Sequence, residues 1–96
     1  MGAETFMVRA KGQTAAKAFS VACAKARHEH GHGGYTGTIA EKSEFVMIVT
    51  SAKTDAAEYA EKLINDGDKR IDDKWGPAGC IQLGKTEFLF FGWTSS

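Results

Sequence analysis

The chemistry-bearing residues concentrate in one segment, His28-Glu29-His30-Gly31-His32-Gly33-Gly34-Tyr35-Thr36-Gly37-Thr38, with three histidines in five residues. Neutral imidazole is a common ligand for zinc, nickel and copper. His28, His30 and His32 are therefore the candidate metal set, a transition metal being the one cofactor the sequence suggests. Glu29 or Cys23 could add a ligand, and Glu29 could act as base in a metal-assisted hydrolysis. His28 and His32 would share a face if a helix ran through both. The spacing matches no compact Cys/His zinc pattern. Basic side chains at a helix C-terminus, placed against its dipole, account for the same cluster without a metal.

The glycines of this segment would let backbone N–H groups approach an anion. Phosphate loops with a strong signature run from strand into helix, however, and this segment runs from helix into strand. What remains is a polar cluster able to hold a small ligand: His30, His32, Gly33, Gly34, Tyr35, Thr36 and Thr38. Trp75, in the turn Trp75-Gly76-Pro77-Ala78, is the further candidate contact.

Other motifs fail on their spacing. A calcium loop starting at Asp66 would place Arg70, Ile71 and Pro77 where an oxygen ligand, a glycine and a glutamate are needed. Lys42-Ser43-Glu44-Phe45-Val46-Met47-Ile48-Val49 echoes an RNA-binding strand but lacks its glycine and paired aromatics. No Gly-x-Ser-x-Gly elbow exists, and neither cysteine has a histidine at a diagnostic spacing.

The elements that must position these residues follow from periodicity. Thr5 to Ala10 alternates as a strand. Gln13 to about His30 is expected to be a helix with the stripe Ala15, Phe19, Ala22 and Ala26, flanked by Ala18 and Cys23. Basic residues and Gly31 end it. Strands are expected at Tyr35–Glu41 and Glu44–Thr50; Phe45 to Val49 is apolar without alternation, which predicts a central strand buried on both faces. Asp55 caps a second helix reaching about Asp66, with the stripe Ala56, Tyr59, Ala60, Leu63 and Ile64, a Glu58–Lys62 pair, and Gly67 closing it. Asp68 to Lys74 is a charged loop or single helical turn. Cys80–Leu83 and Glu87–Thr94 form a closing hairpin. The order β-α-β-β-α-β-β predicts an α+β, ferredoxin-like two-layer sandwich, both helices on one face, with an extra C-terminal strand.

Ninety-six residues predict one domain, and the composition is that of an ordinary globular protein. The net charge is zero, where a phosphate-gripping domain carries a basic excess, so nucleic acid is not the expected partner. No stretch reads as a signal peptide or membrane span, and two apolar-flanked cysteines read as free thiols; together these predict a cytoplasmic protein with no membrane partner. Phe88, Leu89, Phe90, Phe91 and Trp93 place apolar groups on both faces of the last strand. Such a strand needs a second cover: core packing within the chain, with the Trp75 loop folding across, accounts for it, and the alternative is a homodimer or partner surface through this region.

Gly34-Tyr35-Thr36-Gly37-Thr38-Ile39-Ala40, Lys74-Trp75-Gly76-Pro77-Ala78 and Phe90-Phe91-Gly92-Trp93 resemble pieces of small uncharacterised proteins of tailed phages and mobile elements. The resemblance covers about a quarter of the chain and implies an accessory viral role, binding a host protein or small ligand. The expected function is a non-enzymatic binding module that self-associates. The alternatives are a metal-dependent hydrolase built on His28 to His32 and a nucleotide- or amino-acid-sensing domain.

Overall fold

The computed structural model describes residues 3–30, 39, 42–50, 55–73 and 75–95. In chain order these form β1 (Ala3–Lys11), α1 (Ala15–His30), β2 (Phe45–Met47), α2 (Ala56–Asp66), β3 (Ala78–Gln82) and β4 (Glu87–Ser95). The four strands make one sheet in the order β1-β4-β3-β2. β4 is antiparallel to both β1 and β3, while β2 and β3 pair in parallel. This is an α+β architecture with a mixed sheet. Among the described residues no helix is long and apolar enough to cross a membrane.

The local signals act as expected. Thr14 Oγ1 accepts from Lys17 N at 3.2 Å where α1 begins, and Ala18, Ala22, Cys23 and Ala26 are buried. Alanines on that stripe let the helix lie close to the sheet. Asp55 accepts from the backbone N–H groups of Ala57 and Glu58 at the start of α2. Gly67, at φ 68°, ends α2 in the left-handed conformation a Cβ would disfavour. Its N–H reaches Ile64 O while Asp68 N reaches Leu63 O, which satisfies the last carbonyls of the helix. The expected Glu58–Lys62 pair is replaced by Lys62 and Asp66, 3.6 Å apart.

Three expectations are corrected. First, the helices do not share a face. α1 packs with Phe6, Ala10, Ala78, Cys80, Phe88 and Phe90, whereas α2 packs on the other side with Ile48, Ile81, Leu89 and Phe91. The pairings make β1, β2 and β3 run in one direction. From β1 the chain crosses to β2 at the far edge, and after α2 it steps back inward to β3. Crossovers keep a right hand, so reversing the direction of travel puts the second helix on the opposite face. In the two-layer ferredoxin-like arrangement the second crossover also reverses, but it starts from a strand antiparallel to the first, so both helices fall on one face.

Second, β4 lies inside the sheet, and its two apolar faces are covered by α1 and α2 of the same chain. The last strand is thus an interior strand rather than an addition to the edge of the sheet. Third, β2 is the edge of the described sheet rather than a central strand, and Val49 beyond it is 89% exposed. The expected strand at residues 35–41 lies almost wholly outside the described residues; Ile39 within it is buried.

The first core is pinned by three rings. Phe19 of α1, Phe45 of β2 and Phe90 of β4 have centroids 5.1, 5.4 and 5.8 Å apart in tilted and edge-on contacts. In the second core the Phe91 ring lies over Gly79, where an added Cβ would stand 2.6 Å from its Cζ.

Candidate binding surface at the Lys42–Trp75 turn

Lys42 lies in a Lys-Ser-Glu stretch that suggests an open turn, yet only 3% of it is exposed. An ammonium group taken out of water must have partners. Its Nζ donates to the Gly76 carbonyl at 2.9 Å and approaches the Asp73 carbonyl at 3.4 Å. Its backbone N–H donates to Ile39 O at 2.9 Å. That carbonyl also receives the Cys23 thiol of α1 at 3.5 Å. Lys42 therefore ties α1, the approach to β2 and the approach to β3 into one corner.

The turn held by Lys42 is further organised from within. Asp73 Oδ1 accepts from Trp75 N at 2.8 Å, and Asp73 O accepts from Gly76 N at 2.9 Å. Ala78 N then donates to Glu44 O at 3.0 Å as the parallel β2–β3 pairing begins. On this fastened turn Trp75 is 63% exposed. A large amphipathic residue is thus well exposed on a backbone held by hydrogen bonds.

The charged stretch before the turn is structural in the same sense. Arg70 grips Asp68 with Nε and a terminal nitrogen, both at 2.9 Å, and its backbone N–H adds a third bond at 2.9 Å. These bonds hold the Asp68 carboxyl down at about 2. Ile71, the one large apolar residue there, is fully buried against α2.

Of the sequence-derived candidates, Trp75 stands exposed in the described turn. His28 is exposed on α1 and His30 is its last residue. Gly31, His32, Gly33, Gly34, Tyr35, Thr36 and Thr38 lie outside the described residues, as does the geometry of a His28–His30–His32 metal site. Among the described residues no group of three or more histidine, cysteine or acidic side chains could hold a metal. Lys42 and Asp73 were missed as positioning residues. The Asp-rich stretch after α2 has the look of a calcium loop, whereas the Asp73 side chain accepts from the Trp75 backbone N–H.

Burial pushes the Cys23 thiol up, opposed by Arg27, and pushes Cys80 up to about 11. Both are free and buried, which is the environment of an inert thiol rather than a nucleophile. Hollows beside β1 measure about 160 and 250 Å³, and one lined by Met47, Val49 and Ile81 about 180 Å³. Small-molecule sites usually run to roughly 300–1,000 Å³.

Comparison of the chain with family models, curated proteins and solved structures finds no match.

Proposed function

We propose that this chain is a non-enzymatic binding module that engages a partner protein through the Asp73–Ala78 turn, with Trp75 as the anchor. The observation that carries the reading is the contrast between an exposed Trp75 and the buried Lys42 that fastens its turn. Trp75 is 63% exposed, while Lys42, at 3%, fastens its turn through Gly76 O. Tryptophan is enriched among the few residues that dominate protein interfaces, and a turn already ordered loses little freedom on binding. The likeness of Lys74-Trp75-Gly76-Pro77-Ala78 to phage and mobile-element proteins makes a host protein the partner to look for first.

The test is paired capture from a host lysate with wild-type and Trp75→Ala baits of matched thermal stability, quantified by mass spectrometry. The reading expects a specific protein retained by the wild type and lost with the variant. Equal recovery by both baits, or none by either, contradicts it.

A further inference from the structure

The edge of the sheet remote from the Lys42–Trp75 turn is β1, nine residues long from Ala3 to Lys11. Its register with β4 runs without a break, so no bulge interrupts the edge, and it contains no proline. Gly12 N donates to Thr86 O at 3.0 Å, one step beyond the Lys11–Glu87 pair. Antiparallel bonding alternates between residues. The even-numbered residues of β1 therefore bond to β4, and Thr5, Met7, Arg9 and Lys11 aim their backbone N–H and C=O groups away from it. Among the described residues no strand receives them.

Beside this edge two adjoining surface hollows of about 160 and 250 Å³ are lined by β1 and α1. Val8, Ala22, Ala26, Lys25 and Glu29 line the first, and Val21, 52% exposed, opens into the second. Lys25 and Glu29 stand 4.0 Å apart, both well exposed. A loose surface pair of this kind is worth little within its own helix and is free to exchange partners.

We infer that β1 pairs antiparallel with β1 of a second copy across a two-fold axis, joining two four-stranded sheets into one of eight. The charges on this edge are self-complementary under that operation. An axis at Met7 sets Arg9 opposite Thr5 and Lys11 opposite Ala3; an axis at Val8 sets Arg9 opposite Met7 and Lys11 opposite Thr5. Neither opposes two cations. The same axis runs the two α1 helices antiparallel, so Lys25 of one copy meets Glu29 of its mate. Because an isologous contact uses the same patch twice, both ion pairs form or neither does. The Trp75 turn stays open at the other side, and the inference does not rest on its role.

Sedimentation of the full chain across concentration, paired with residue-resolved amide exchange, tests this. The expected result is a dimer in which the outward N–H groups of Met7 and Arg9 gain protection as concentration rises. Lys25→Glu is expected to weaken association at least tenfold, and adding Glu29→Lys to restore it; both positions are on the helix surface, and circular dichroism verifies the fold. A monomer at every concentration overturns the inference. So does a dimer that leaves the Met7 amide unprotected, protection independent of concentration, or a Lys25→Glu variant that associates like the wild type.

Discussion

Lys42 Nζ and the Gly76 carbonyl oxygen stand 2.9 Å apart across a sequence separation of 34 residues. The bond joins the chain entering β2 to the chain entering β3, just before those strands pair in parallel. It also helps hold the turn that carries Trp75, since Gly76 directly follows that residue.

Lys42→Met keeps most of the aliphatic stem and removes the ammonium donor. Hydrogen bonds to charged groups contribute about 1.5–3 kcal/mol, and a loss of that size is expected in urea unfolding. The amides of Trp75 and Gly76 should exchange faster than in the wild type. Unchanged exchange there would mean the turn is held without Lys42.

Gly79→Ala is expected to destabilise by about 1–3 kcal/mol, because the new methyl meets the buried Phe91 ring at 2.6 Å. Shrinking the ring should relieve that clash. In a double-mutant cycle, Phe91→Leu combined with Gly79→Ala is expected to cost less than the sum of the single changes. Simple additivity would place the Gly79 effect elsewhere.

The Asp68 carboxyl is held at about 2, below its ordinary 3.8, chiefly by the side-chain bonds of Arg70. A depressed folded value means the pair contributes fully above 3.8 and is lost as pH falls through about 2. Carbon-detected NMR titration should show this low midpoint in the wild type. Arg70→Ala should return it toward 3.8. A wild-type midpoint already at the ordinary value would remove the Asp68–Arg70 grip from the account.

Cys80, raised to about 11, and Cys23, also raised, should resist a thiol-reactive reagent at pH 8 in the native protein. Both should label at once after denaturation. Rapid native labelling of either would show that its cover against α1 opens readily.

Much of this organisation was legible in the sequence. The alanine stripe from Ala15 to Ala26, the Asp55 cap and the Gly67 stop each produce the expected local structure, because their signals act within one or two turns of chain. The unbroken Phe88–Phe91 run correctly marked a strand buried on both faces. What covers those faces was not legible, since it depends on the direction in which the chain crosses the sheet. Phe45 to Val49 carried a similar apolar run, yet β2 lies at the described edge; composition does not report a strand's neighbours. Lys42 was hidden for another reason. Its acceptors are main-chain carbonyls at Asp73 and Gly76, which leave no mark in the residue types. Trp75 was legible as a site candidate, while the glycine–histidine segment from Gly31 to Thr38 lies outside the described residues.

The most direct test of the central claim is a titration of the captured partner against wild type and Trp75→Ala by calorimetry. An interface anchored by Trp75 predicts a loss of about 2 kcal/mol or more, roughly thirtyfold in Kd, with thermal stability unchanged. Equal affinity for the two proteins would contradict it and remove the Trp75 turn from the binding surface.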